Sequence, residues 1–356
     1  MKSITYPASP AAKGVHMAPV DRPGVLEVAH KAGVSPATVS RVLNNSPLVK
    51  PETRAKIQRV LDEMHYMRNG AARALSSRRS QTIGLIVPVL GTAVFAEASQ
   101  VIQACLQAER YSLLTAGTSY DPAQELEAAR TMIEHGVDGL ILVGTSHDPA
   151  LFRLLSETQT PAVQIFAYDP ASKLPCVGFD NFQASYDITK YLANMGHTRV
   201  AILLSHTKNN DRISARFDGI KACLQDCGLK VDPDLIVEVG FTIMEGRGGL
   251  RELLSRKKAF TALACTGDVI AVGALLEARA KGIDVPKDLS ITGFHDLDLS
   301  SQMEPPLTTV QVPIRDMGET AVNLLLATLN GTSLPTVRNL PTLIVVRKSV
   351  GPAPSA

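Results

Sequence analysis

The chain is 356 residues long, too long for one ordinary domain, and suggests two or three. Hydrophobic residues make up 45% and charged residues 20%, which fits a globular protein and excludes a disordered one. No apolar run reaches the ~18–20 residues that span a bilayer, so a membrane protein is excluded too. The N-terminus lacks an apolar signal-type core, and the five scattered cysteines read as reduced cytosolic thiols. The expected location is therefore the cytoplasm. The net charge of +2 conceals an asymmetry: 13 Lys+Arg face 5 Asp+Glu through position 80, and 23 face 29 beyond it. A basic head on a mildly acidic body suggests that one end meets a polyanion.

In chain order, residues 1–22 mix Ala, Pro, Gly, Ser and Lys without periodicity and read as a disordered tail, within which Met17 is an alternative start. VLEVAHKA then forms a short helix, and Gly33 permits a sharp turn. Ser35 is an N-cap with Pro36 at the first helical position of SPATVSRVLNN. A third helix starts near Pro51, with Ile57, Val60, Leu61 and Met64 on one face. This is the layout of a helix-turn-helix over residues 23–68. Small Ala29 lets two helices cross, while Val39 and Val42 pack the second onto the first. Pro36, Ala37 and Arg41 are left on the exposed face, where a recognition helix meets base edges. Arg41 can bond guanine bidentately, and Ser35, Thr38, Ser40 and Asn44 suit phosphate contacts.

Beyond Ser80, TIGLIVPV, DGLILVG, PAVQIF, RVAILLS, ALACTG and LSITGF are short β-rich runs separated by helix-length stretches. Buried parallel strands alternating with helices read this way, so the body over 81–348 is α/β and doubly wound. Its length allows two Rossmann-like lobes with a ligand between them. A crossover falls near Gly178–Asp180. LTTVQVP is expected to carry the chain back to the first lobe, and LIVVRK to return it to the second. The lobes then comprise 81–178 with 311–340, and 179–310 with 341–348. Residues 349–356 read as a second tail.

The head segment VxxVAxxAGVSxxTVSRVLN, a further helix, Tyr66, Asn69 and ARALSS resemble the lactose-repressor (LacI/GalR) family from Val25 to about Lys348. That resemblance implies a three-helix DNA-binding head and a bilobal, periplasmic-binding-protein-like body. It also implies a homodimer on double-stranded operator DNA, controlled by a small effector. Residues 69–80 would be the hinge helix, with Asn69 and Ala72 at the DNA and Leu75 wedged into the minor groove. Two head positions depart from the pattern: Gly24 replaces a capping Thr or Ser, and Arg68 replaces a proline.

In the body, the resemblance puts Phe95 and Glu97 of PVLGTAVFAE at the interlobe cleft. Arg216 of DRISARFDGI falls at an effector-binding arginine, with Arg212 four residues earlier on the same side. Phe241 falls at an aromatic position that stacks on ligand, and Asp268 lies in GDVIAVG. Gly267 replaces that motif's usual asparagine, and His295 replaces the first aspartate of the GY/FDD signature. Loss of that aspartate beside two arginines implies an anionic effector. FAE, VGFDNF and GFH followed by MEP resemble the gluconate-operon repressor branch, so a sugar acid such as gluconate is implied. A neutral or phosphorylated sugar is the alternative.

Other patterns carry little chemistry. Cys223 and Cys227 have no partner pair for zinc, and no nucleophile elbow or phosphate loop sits at a strand–helix junction. No cofactor or catalytic residue is expected. A solute-binding protein or sugar-modifying enzyme on the same bilobal fold is the competing reading, and it would leave the basic head idle. The end of the chain lacks a leucine-heptad tail, which disfavours a tetramer.

Overall fold

A computed structural model describes residues 23–43, 46–66, 79–332, 334 and 336–354. Asn44, Asn69, Ala72, Leu75 and Arg68, with most of the expected hinge, lie outside these residues. The chain divides into two units, 1–76 and 77–356.

The first unit is three helices: α1 (Val25–Ala32), α2 (Pro36–Leu43) and α3 (Pro51–Glu63). Gly33 ends α1 in the left-handed region at φ 59°, a conformation that costs glycine little. Ser35 Oγ accepts from the Thr38 amide at 3.2 Å, the expected N-cap. At Gly24 no side chain caps α1, and the Glu27 carboxylate instead accepts from the Gly24 N–H at 3.0 Å. Val28, Ala29, Ala32, Val39, Val42, Ile57, Val60 and Leu61 form one small core, with Tyr66 packed against it. Arg54 of α3 donates to the Ser46 carbonyl at 2.5 Å, fixing the connection between α2 and α3.

The second unit has two six-stranded sheets. Lobe 1 runs β1 (Thr82–Val87), α4 (Ala93–Ala108), β2 (Ser112–Gly117), α5 (Pro122–Glu134), β3 (Gly139–Val143), α6 (Pro149–Thr158), β4 (Ala162–Ile165) and β5 (Cys176–Gly178). Lobe 2 runs α7 (Asn181–Asn194), β6 (Val200–Ser205), α8 (Asp211–Asp226), β7 (Ile236–Val239) and α9 (Ile243–Ser255). It continues through β8 (Ala262–Cys265), α10 (Asp268–Ala280), β9 (Ser290–His295), α11 (Asp298–Gln302) and β10 (Thr308–Gln311). The chain then forms α12 (Ile314–Leu329), β11 (Val337–Asn339) and β12 (Leu343–Val345). Sheet 1 has the order β11-β5-β4-β3-β1-β2, and sheet 2 the order β12-β10-β9-β8-β6-β7. Every pairing is parallel except β12 against β10. The fully buried central strands, such as β3 and β6, explain the unbroken apolar runs in the sequence.

Three connections join the lobes: β5 to α7, β10 to α12, and β11 to β12. LTTVQVP leads back to the first lobe: its strand β10 pairs with β9 in sheet 2, and the crossing follows Gln311. The end of the chain differs from expectation. Ser349 is fully buried, its Oγ bridges the Thr308 amide and the Ile291 carbonyl, and its own carbonyl accepts from the Ile291 amide. His197 bonds the Gly351 carbonyl, and the Ala353 amide bonds the Met195 carbonyl. The expected tail is therefore, through Ala353, an integral edge of lobe 2. Backbone groups at that edge need partners once buried, which composition alone does not reveal.

Candidate functional site

In the head, α2 buries Val39 and Val42 and turns its other side outward. Ser35, Pro36, Ala37, Ser40 and Arg41 are exposed, and Thr38 is half-buried against Ser35 Oγ at 2.9 Å. A short helix with small residues and one exposed arginine on its outer face has the shape and charge to enter a major groove. Tyr66 packs, partly buried, against the head core.

In the second unit, the strand ends of both lobes converge on a cleft. Tyr120, in the loop after β2, and Phe95 of α4 come from lobe 1, and Arg212, Arg216, Phe241 and His295 from lobe 2. Arg216, 2% exposed, is the central group. Its Nε donates to Asn181 Oδ1 at 2.8 Å, its Nη1 to the Thr266 carbonyl at 2.8 Å, and the same Nη1 lies 3.0 Å from His295 Nε2. The guanidinium also lies over the Phe294 ring, 3.8 Å from its centroid. Burial, with Arg212 alongside, brings Arg216 down to about 9, so it keeps its charge at neutral pH. Its hydrogen bonds to described residues run through Nε and Nη1.

His295 ends β9 with φ 118°, followed by Asp296 at φ 58°. Two successive non-glycine residues in this region store backbone strain where the side chain must be presented. Burial first, then Arg216 and Arg212, holds the imidazole well below 6.5, so the ring is neutral. Since Nε2 accepts from Arg216, the proton belongs on Nδ1, which becomes a donor toward the cleft.

Several expected residues take other roles. Arg212 does not stand free beside Arg216: its Nη1 is 2.8 Å from Asp211 Oδ1 and donates to the Val143 carbonyl across the cleft at 3.3 Å. Burial opposes the charge on Asp211, but Arg212 and the Thr145 donors outweigh it and hold the carboxyl below its usual range. The two expected clamp arginines therefore differ in pairing: Arg212 is ion-paired with Asp211, and Arg216 has no ion pair among the described residues. Asp268, 1% exposed, spends its carboxylate on Thr309 Oγ1 at 2.6 Å, and on the Leu297 amide and Ser300 Oγ, both at 2.8 Å. It organises the loop after β9 while lining the small cavity beside Phe241, Gly267 and His295, and burial pushes its pKa up. Glu97 is exposed and borders a hollow of about 340 Å³ that it shares with His295, Asp296, Gln311 and Arg315. Burial, then Asp298, raises its carboxyl. Phe95 packs edge-on against Phe166 with centroids 5.3 Å apart and forms the cleft wall. Phe241 is stacked, but on Tyr120, at 5.2 Å and 11°.

Sequence reading missed Tyr120, Asn181 and Asp211. Asn181 follows the aspartate of VGFDNF at the start of α7, and its Nδ2 donates to the Phe166 carbonyl of lobe 1 while its Oδ1 accepts from Arg216. Tyr120 follows Ser119, both with positive φ, a signature invisible without coordinates.

Comparison with known proteins bears on both units. Residues 25–69 match the model "Bacterial regulatory proteins, lacI family", and residues 189–350 match "Periplasmic binding protein-like domain". The HTH-type transcriptional regulator RegA of Clostridium saccharobutylicum is 32% identical, over 87% of this chain and 93% of RegA. The HTH-type transcriptional regulator GntR of Escherichia coli K12 is 34% identical, over 88% of this chain and 94% of GntR. The solved lac repressor dimer bound to operator and the anti-inducer ONPF has the same fold, with a TM-score of 0.83 and 24% identity over 93% of this chain and all of that one. These relatives are regulators, not enzymes. A helix-turn-helix head, a two-sheet body with an arginine at its cleft, and relatives above 30% identity along nearly the whole chain make one conclusion: this protein belongs to the LacI family of DNA-binding transcriptional regulators.

Proposed function

We propose that the chain acts as a homodimeric repressor that releases or grips its operator in response to a sugar acid such as gluconate. The observation that carries the effector reading is the Arg216–His295 pair. A charged guanidinium suits one carboxylate, and a neutral imidazole with Nδ1–H suits a neighbouring hydroxyl. Asp211 offsets the charge of Arg212, so the pair of arginines suits a monoacid better than a bisphosphate. On the DNA side, Arg41 reads a base edge, and Ser35, Pro36, Ala37, Thr38 and Ser40 set α2 against the groove. The homodimer reading draws support from the lac repressor, solved as a dimer on operator.

Titration calorimetry with gluconate and with a neutral hexose tests the effector. Tight binding of the acid, lost in Arg216→Ala, is expected; preference for the neutral hexose overturns the sugar-acid reading and leaves the DNA-binding assignment intact.

A further inference from the structure

The leading end of α2 turns carbon outward. Pro36 and Ala37 fill its first two positions, and both side chains are exposed. Pro36 has no backbone N–H to offer either. The two hydroxyls that flank them are turned to each other: Ser35 Oγ lies 2.9 Å from Thr38 Oγ1 and accepts from the Thr38 amide at 3.2 Å. Thr38 is half-buried as well. A pyrrolidine ring beside a methyl group is what remains to meet a ligand at this end. Polar side chains resume one turn later, where Ser40 and Arg41 are exposed on the same stripe as Ala37.

Carbon finds one natural partner on the base edges of the major groove. The groups there are hydrogen-bond donors and acceptors, apart from the 5-methyl group of thymine. A donor or acceptor pressed against Pro36 or Ala37 would lose water and gain no partner, which costs binding. A methyl group pressed there loses nothing and leaves water.

We infer that Pro36 and Ala37 form a methyl reader: they select a pyrimidine 5-methyl group, of thymine or of 5-methylcytosine, near the guanine that Arg41 selects. The inference rests on the placement of α2 in the groove given above. Ala37 and Arg41 are about 6 Å apart along the helix axis, and base pairs stack about every 3.4 Å, so methyl and guanine lie about two base pairs apart. The same half-site then answers to cytosine methylation, since a bare cytosine at that position is refused and a methylated one accepted.

The test begins with the full-length chain selecting duplexes from a library of about 20 random base pairs, two half-sites long. The selected duplex is then remade with deoxyuridine in place of one thymine at a time. One uracil, about two base pairs from the guanine whose preference is lost in Arg41→Ala, should weaken binding about fourfold in gel-shift titration, the burial of one methyl group. At that position 5-methylcytosine should bind more tightly than cytosine by a similar factor. A double variant, Pro36→Ser with Ala37→Ser, should bind the thymine and uracil duplexes equally; if it no longer binds DNA, the wild-type titrations decide alone. Binding unchanged by uracil at every thymine, a sensitive thymine more than about four base pairs from that guanine, or a uracil effect that persists in the double variant overturns the methyl reader and leaves Arg41 its role. A selection that enriches no sequence overturns base reading by α2 altogether, and the methyl reader with it.

Discussion

Gly267 and His295 face each other: a Cβ built on Gly267 would lie 3.8 Å from His295 Cε1 and 3.9 Å from Nδ1. These are the two cleft positions where the chain departs from its family's motifs. A side chain at 267 would begin in ordinary contact with the imidazole, so the two positions are neighbours in space. Gly267→Asn alone should weaken gluconate binding, and His295→Asp alone should do so at least tenfold, because the new carboxylate would pair with Arg216. Combined, the two changes should be less harmful than their sum, with a coupling of about 0.5–3 kcal/mol by double-mutant calorimetry. Strict additivity would mean that the two positions do not act as a unit.

Arg216 and Arg212 should respond unequally. Arg216→Ala removes the ligand's charge partner and leaves Asn181 Oδ1 and the Thr266 carbonyl short of a donor, so gluconate binding should fall about tenfold to a hundredfold. Arg212→Ala should fall by less, since that guanidinium is already paired with Asp211. Equal losses in parallel titrations would restore the two-arginine clamp.

For DNA, Arg41→Ala should remove discrimination worth about 1–3 kcal/mol at one base pair while leaving effector binding intact. Lys50→Ala or Arg59→Ala, exposed on the same head, should weaken all DNA alike and flatten the salt dependence. Gel-shift titrations against operator and scrambled duplex separate the two effects. An Arg41→Ala protein that still selects operator would place recognition elsewhere.

Stability should fall on acidification through two histidines. Burial lowers His197, against the opposing Gly351 carbonyl, and burial with Arg216 and Arg212 holds His295 well below 6.5. Below an unfolded value near 6.5, the unfolded chain binds protons that the folded chain refuses, so stability is full above that pH and declines beneath it. Each histidine contributes up to about 1.4 kcal/mol per pH unit in that window. Thermal melts of His197→Gln from pH 7.5 to 5 should show a shallower decline than wild type; parallel curves would show that His197 titrates normally.

Deleting residues 349–356 should destabilise lobe 2. It removes the Ser349 bridge and the Gly351 carbonyl bonded by His197, leaving the Thr308 and Ile291 amides short of partners. At about 1–3 kcal/mol for each unsatisfied buried group, the melting temperature should drop by many degrees. An unchanged melt would mean the edge contributes nothing.

The head and the alternation of strands and helices were legible because each rests on local signals: Gly33, the Ser35–Pro36 start, and apolar runs of strand length. The crossover at Gly178 was legible for the same reason. The cleft was half legible. Arg216 and His295 follow from motif position, but a motif cannot tell a free arginine from a paired one. Arg212 is paired by its own neighbour Asp211, and Asp268 by hydroxyls 32 and 41 residues away. Nor does composition reveal that Ser349–Ala353 completes a sheet edge, since small and apolar residues read alike in a tail and in a tight joint.

The three links between the lobes have a mechanical consequence. A single strand would act as a swivel, free to twist as well as bend. Three side by side, after Gly178, Gln311 and Asn339, resist torsion and sideways slip and leave one soft coordinate, flexing about the line through them. A chemical event at Arg216 is thereby filtered into a single angular displacement, whatever the ligand's shape.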